Sequence, residues 1–192
     1  MDPGVGWVVP LREAVECEER SIGGKAAKLA QLAQACFRVP GGFFITTKAY
    51  EYFLENQDLA RLIRMELGRK SFAAMRWEEI WDVALRIRSV FLATPIPQAL
   101  AQSIVSAVEE LGAAKPLAVR SSAPGEDSAN RSFAGLHESV VGVIGTEAVL
   151  DAVRVVWASL WSDAALLYRQ ELALDPLLSR MAVVVQEMID ED

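Results

Sequence analysis

The apolar residues change their spacing at Lys115-Pro116, and this change limits the folds open to the chain. Over residues 58–112 they recur every three or four positions, as the buried face of a helix requires. After Pro116 they form short strand-like runs, at 117–119, 140–144 and 181–185. The spacing predicts an α+β domain with a helix-rich part over residues 1–115 and a strand-containing part over residues 116–192.

The helix-rich part also carries two strand-like segments, 7–11 and 43–46. Residues 13–20 are predicted to be a charged connection between the first strand and a helix from about Gly24 to Cys36. The predicted buried stripe of that helix consists of Leu29, Leu32, Ala33 and Cys36. A helix capped by Thr47 and running through Asn56, and another helix starting at Thr146, complete the expected elements outside the middle region.

Composition excludes several classes of protein. A chain of 192 residues that is 52% hydrophobic can bury one generous core, yet it has no apolar run near the roughly 20 residues of a membrane span. A net charge of −7 argues against nucleic-acid binding, although a few focused cations still suffice for ATP. We expect a cytoplasmic protein, because Met1-Asp2-Pro3-Gly4 lacks the basic and apolar regions of a secretory signal.

Gly23-Gly24-Lys25 is the first segment that carries chemistry. Two glycines before a helix allow backbone N–H groups to approach a phosphate, and Lys25 would add a mobile positive charge. The P-loop pattern is not met, because Ala26 stands where Ser or Thr would bind magnesium. A flexible turn followed by a solvated lysine explains the segment equally simply.

Arg120 ends an apolar strand and precedes Ser121 and Ser122. A guanidinium at that position loses hydration unless an anion meets it, so a specific partner is expected. A structural carboxylate and a bound phosphate would satisfy it equally well.

The loop from Ala123 to Gly135 is long, polar and rich in turn residues. It can fold over a ligand and present main-chain N–H groups near Gly135, or it can be a plain connection. Glu126 and Asp127 are neighbours within it and are expected to be solvated. Neither they nor Cys17 and Cys36 have the spacing of a metal site, so the cysteines are expected to be reduced thiols.

Two further polar residues stand beside apolar strands. Gln186 follows an apolar run and can read the edge of a base with its amide, or cap the edge of the sheet. His137 is the single histidine of the chain, and we expect it near the pocket rather than as a base.

Five segments in order resemble the N-terminal ATP-binding domain of the phosphoenolpyruvate synthase (pyruvate, water dikinase) and pyruvate phosphate dikinase family, to which rifampin phosphotransferases are also similar. They are 23–30, 39–43, 119–127 with 133–135, 158–162 through 168–169, and 183–188. The resemblance implies the N-terminal lobe of an ATP-grasp-like fold, with a mixed sheet, flanking helices and a helical middle region. The form of Val119 to Asp127 is more similar to the synthase and rifampin branches.

The resemblance also implies roles for single residues. It places Lys25 and Arg120 on the phosphates of ATP, with Gly23 and Gly24 supporting the phosphate loop. It further assigns Gly135 and Ser139 to the loop and strand that cover the phosphates. Gln186 is placed near the adenine.

Other parts that the resemblance implies have no counterpart here. Missing are the second lobe with its Mg²⁺ ligands, the domain with the phosphohistidine, whose role His137 does not inherit, and the acceptor domain. We therefore expect a portion of a phosphotransferase that passes phosphate from ATP through histidine to pyruvate. A rifampin-type antibiotic or a glucan is the alternative acceptor, and a stand-alone nucleotide- or partner-binding module is the alternative function. The apolar face left by the missing lobe would allow two copies to pair.

Overall fold

The computed structural model describes residues 6–124, 127–128, 131–132 and 136–189. Its strands are β1 (Val8–Pro10), β2 (Gly42–Ile45), β3 (Leu117–Ser122), β4 (Asp127–Ser128), β5 (Arg131–Ser132), β6 (Ser139–Val143) and β7 (Ala182–Glu187). Its α-helices are α1 (Glu19–Gln34), α2 (Thr47–Asn56), α3 (Leu59–Leu67), α4 (Trp77–Ala93), α5 (Gln98–Leu111), α6 (Thr146–Ser159) and α7 (Asp163–Glu171). The prediction of an α+β domain is confirmed at this level.

Five strands form the main sheet in the order β1-β2-β7-β3-β6, and every neighbouring pair is antiparallel. The predicted mixed sheet is therefore wrong. Strands β2 and β3 do run in the same direction, but β7 lies between them and runs the opposite way, so they never pair. The short strands β4 and β5 form a separate hairpin.

One face of the main sheet carries the larger core. Phe43, Val119, Val183 and their neighbours on this face pack against the helical region. The largest fully buried side chains of that region include Tyr50, Phe53, Phe91, Trp157 and Trp161. The predicted face of α6 is confirmed, because Val149, Val153, Val156, Trp157 and Leu160 are all buried. Helices from the middle of the sequence thus fix the sheet from one side.

Helix α1 covers part of the opposite face, where Phe44 and Val184 contact Ile22, Ala26 and Ala30. The predicted stripe for this helix is partly wrong: Leu29 and Ala33 pack against this core, but Leu32 and Cys36 are exposed. The buried positions hold smaller residues because α1 lies very close to the sheet, and a row of leucines would not fit between them. Helix α1 leaves the β3–β6 side of this face uncovered, and Arg120 is exposed there.

Local signals located several elements well. Helix α2 ends at Asn56 as predicted, but its N-cap residue is Thr46, one residue before the predicted Thr47. The predicted connection over residues 13–20 is partly wrong, because it contains most of the 3-10 helix Leu11–Glu16 and the start of α1. Helix α7 had no prediction; it begins after Ser162, whose hydroxyl accepts the N–H of Ala165 at 3.1 Å.

Among the described residues, no single helix has both the length and the apolar character of a membrane span. The pair α4 and α5 passes that test together, but it bends by 72° at the break between the helices.

Candidate functional site

Gly23 lies at a kink inside α1, with φ 79° and ψ 167°. These angles interrupt the helix, so a second helical run starts at Gly24. A Cβ added at position 23 would lie 2.1 Å from the carbonyl oxygen of Ser122. Only glycine fits, both in backbone angle and in space, and the new helix start is thereby held against the end of β3.

The two serines at the end of β3 bind this helix start. The hydroxyl of Ser122 accepts the N–H of Ala26 at 3.1 Å, so it acts as a cap supplied from a distant strand. The ammonium of Lys25 donates to the hydroxyl of Ser121 at 3.4 Å. The half-buried Lys25 is therefore positioned one residue beyond Arg120 along the strand.

Arg120 itself is exposed. Its neighbours across the sheet are Val184 on β7 and Ser139 on β6, and all three point to the side of α1. Within the described part of the chain, no carboxylate forms an ion pair with its guanidinium. The salt bridge that the sequence left as an alternative is thus not found there.

Gln186 shares this surface, because it lies two residues from Val184 on the same strand. The expected Cα distance from Gln186 to Arg120 across such a diagonal is roughly 8 Å. Strand β7 is the central strand of the sheet, so the alternative that Gln186 caps a sheet edge is wrong. Its side-chain amide donates to the carbonyl oxygen of Pro40 at 3.2 Å, which fixes its orientation.

We call the surface formed by Arg120, Ser139, Val141 and Gln186 the site face. Val141 belongs to it because β6 bulges there: Val140 and Val143 pack toward the helices, whereas Val141 is 65% exposed. Gly142 in the bulge has φ 70°, and its N–H contacts the sulfur of Met188 at 3.0 Å. Val141 and Met188 thus form an apolar shelf beside Gln186, which the sequence analysis missed because strand alternation fails at a bulge.

His137 lies between cations of two helices. Burial lowers its pKa to about 4, the charges of Arg169 and Lys25 act in the same direction, and a hydrogen bond with the backbone of Ser159 opposes them. The imidazole is therefore neutral near pH 7, and its expected place near the pocket stays a prediction.

Arg169 is the buried cation of this group, and the sequence analysis gave it no role. Its guanidinium donates to the carbonyl oxygens of Leu160 at 2.8 Å and Ala165 at 3.1 Å, and so ties α6 to α7. Burial lowers its pKa to about 10, and Tyr50 opposes that shift. Arginine is rarely buried without a partner, so Arg169 inside helix α7 requires hydrogen-bond acceptors. Its position in the sequence alone did not show that it is buried.

Part of the predicted site lies outside the described residues. Gly135, Glu126 and the side chain of Asp127 belong to this part. Ser139 is described and adjoins Arg120, whereas the predicted contribution of Gly135 stays a prediction.

In the described ranges, no three His, Cys, Asp or Glu side chains come together in a way that could hold a metal ion. Cys17 and Cys36 are not joined by a disulfide. A groove of about 780 Å³ lies between the 3-10 helix and α1, and no predicted site residue lines it. Arg120 and Ser139 are exposed on one face of the sheet instead, whereas Gln186 on the same face is buried, with only 8% of its surface exposed.

The fold is an α+β domain with an antiparallel sheet, in which Lys25 and Arg120 lie near the end of β3 and Arg120 forms no ion pair among the described residues. Comparison with known families then identifies the family of this domain. Residues 19–192 match the model of the pyruvate phosphate dikinase AMP/ATP-binding domain, and the chain belongs to that family.

Named relatives support the same assignment. The phosphoenolpyruvate synthase of Aeropyrum pernix is 41% identical over 88% of this chain, and the rifampicin phosphotransferase of a Streptomyces species is 35% identical over 95%. A probable phosphoenolpyruvate synthase of Methanothermobacter thermautotrophicus is 34% identical over 100% of the chain. The chain spans 21%, 21% and 28% of these three relatives, respectively.

Proposed function

We propose that the chain binds ATP on the site face as the first lobe of an ATP-grasp-like domain in a phosphotransferase. The observation that carries this proposal is the exposed guanidinium of Arg120, which has no carboxylate partner in the described structure. Arg120 pairs with Ser139 across the sheet and directly precedes Ser121, to which Lys25 donates. A cation kept without a protein counterion on an ordered strand is ready for an anionic ligand.

The phosphates would lie at the end of β3. Arg120 offers several N–H donors to phosphate oxygens, and Lys25 adds a point charge from the helix start. Gly23 brings that helix start to the strand, where backbone N–H groups favour an anion. Ser139 adjoins Arg120 on β6, and Gly135 would contribute from the preceding loop.

The adenine would lie on the other half of the site face. Val141 and Met188 provide an apolar surface for a flat ring, and Gln186 provides an amide at its rim. An amide carries both a donor and an acceptor, which suits the edge of adenine. The separation of polar and apolar halves matches the two ends of a nucleotide.

The complete reaction would split ATP and pass phosphate through a histidine to pyruvate, with a rifampin-type antibiotic as the alternative acceptor suggested by relatives of that name. The described residues offer no acidic cluster for Mg²⁺, so we place its ligands in a second lobe of a longer polypeptide. We likewise place the histidine that carries the phosphate, and the acceptor site, in other parts of that longer polypeptide. We place the protein in the cytoplasm, where ATP is made and used.

The role of Arg120 is tested by calorimetric titration of the chain with ATP. Arg120→Ala should weaken binding about tenfold or more, because a hydrogen bond to a charged group contributes roughly 1.5–3 kcal/mol. Arg38→Ala is the matched control, since Arg38 is also exposed and forms no ion pair among described residues. Equal losses in the two variants would contradict a specific phosphate contact at Arg120.

A further inference from the structure

Helix α4 carries large apolar side chains on its outer side. Trp77, Trp81, Leu85 and Leu92 are 64%, 51%, 53% and 42% exposed, respectively. Spacings of four, four and seven residues put them on one face of the helix, and we call this row the α4 stripe. The opposite face of α4 is already in the core through Ile80, Val83, Ile87 and Phe91. Arg88 lies on the same face between Leu85 and Leu92, where its guanidinium pairs with Glu138 at 2.6 Å, so the apolar row is continuous from Trp77 to Leu85. Large apolar side chains exposed in such a row mark a binding surface.

Acidic residues come before a basic residue along one side of the α4 stripe, and this order limits which charges a partner can present there. Glu78 and Asp82 flank the first half of the stripe, and Arg86 flanks the second half on the same side. Asp82 forms no ion pair among the described residues. Arg86 uses its Nε on Glu66 at 2.8 Å, and its two terminal nitrogens carry further N–H donors for another acceptor.

This order is complementary to itself when two helices pack in opposite directions. A two-fold axis near residue 84 places Asp82 opposite Arg86 of the partner subunit, and the reverse pair forms by symmetry. The same axis brings Trp81 of one copy against Leu85 of the partner subunit. A parallel arrangement would set acidic residues against acidic residues.

We infer that the α4 stripe is the interface of a two-fold homodimer in which two α4 helices pack antiparallel. The inference is independent of the proposed nucleotide site, which lies on another side of the sheet. One helix face is a small interface, so the dimer is weak and its population rises with protein concentration. Because each chain has a net charge of −7, association depends on local contacts rather than on overall attraction.

Sedimentation equilibrium of the full chain, from low micromolar to near-millimolar concentration, tests the interface. Trp81→Glu should weaken dimerisation about tenfold or more, because it places a charge in the apolar contact. Phe37→Glu is the control, since Phe37 is 63% exposed and lies away from α4. A monomer at all concentrations would overturn the inference, and so would a dimer weakened equally by both variants.

Asp82→Lys tests the charge pairing. It lowers the net negative charge, which would strengthen non-specific association, yet it should weaken the dimer because the introduced ammonium would face Arg86 of the partner subunit. Glu55→Lys makes the same charge change at an exposed site on α2 and should not weaken it. Stronger association of Asp82→Lys would rule out the pairing.

Cysteine cross-linking tests the orientation, in a background with Cys17 and Cys36 replaced by serine. Leu85→Cys lies next to the two-fold axis and should form a disulfide-linked dimer readily. Trp77→Cys lies seven residues from the axis, so its partner cysteine is about 21 Å away along the helices and should not cross-link. Comparable cross-linking at both positions would indicate parallel helices and overturn the antiparallel arrangement.

Discussion

Gly23 touches the end of β3 so closely that the carbonyl oxygen of Ser122 lies 2.1 Å from the position of a Cβ at residue 23. Gly23→Ala should lower the free energy of unfolding by about 3 kcal/mol, because a positive φ and a backbone clash act together. Gly145→Ala should cost only about 1 kcal/mol, since its φ is also positive at 91° but no atom lies within 4 Å. Urea denaturation measures both values, and equal losses would show that contact with Ser122 has no part.

Lys25→Gln removes a positive charge from the proposed phosphate end. ATP affinity should fall about tenfold, whereas the affinity for adenosine should stay unchanged because adenosine has no phosphate. Lys48→Gln, at an exposed position on α2, should leave both affinities unchanged. Each variant is titrated with both ligands. An equal loss of adenosine binding in Lys25→Gln would show that Lys25 does not act on the phosphates alone and would contradict its proposed position.

Gln186→Ala should give the opposite pattern. Binding of ATP and of adenosine should both weaken several-fold, while binding of inorganic tripolyphosphate should not change, because the amide is proposed to meet the base. The variant also loses the bond to Pro40, so titrations must be made well below its unfolding temperature. Gln31→Ala, on the exposed side of α1, is the control. Weaker tripolyphosphate binding would mean that Gln186 acts on the phosphates or on the fold.

Because the pKa of His137 is lowered, we expect the free energy of unfolding to fall in acid. Burial, with Arg169 and Lys25, lowers its pKa to about 4 from the ordinary value of 6.5. Between these values the unfolded chain binds a proton that the folded chain does not, so stability falls as the pH falls from 6.5 to 4. Over this interval the neutral, buried His137 costs the fold about 3 kcal/mol in the free energy of unfolding. Above this window the contribution is constant.

His137→Gln is the matched variant, because it removes the imidazole and leaves all carboxylates to titrate as before. Urea denaturation at about pH 7 and about pH 4.5 should show a smaller loss of stability for the variant than for the parent chain. Proton NMR reports the pKa directly, since the chain has a single histidine. An imidazole that titrates near 6.5 would contradict the buried, cation-flanked environment.

Sequence patterns located the elements better than their arrangement. The extent of α2 was predicted to within one residue from the capping threonine Thr47, which is a local signal, although the N-cap residue is Thr46. The sheet order was not predicted, because the insertion of β7 between β2 and β3 is a contact between distant parts of the chain. The stripe of α1 was partly wrong for a related reason: helical spacing included Leu32, whereas close approach to the sheet selects Ala26 and Ala30.

The candidate site shows the same division. Lys25, Arg120 and Gln186 were singled out from residue type and neighbours. The antiparallel register gives the common face of Arg120 and Gln186, whereas Lys25 reaches the end of β3 from α1 through its bond to Ser121. The shelf of Val141 and Met188 could not be predicted, because it depends on a bulge at Gly142. No role was predicted for Arg169, because it donates to backbone carbonyls, and every residue type supplies such acceptors.

The position of β7 also sets an order of events during synthesis. Strands β2 and β3 leave the ribosome long before β7, and neither can complete its hydrogen bonding until β7 enters between them. The sheet is therefore joined late, through contacts that are far apart along the chain and slow to form. Gln186 arrives with that strand, so a nascent chain that already carries Lys25 and Arg120 would hold no nucleotide until its sheet is joined.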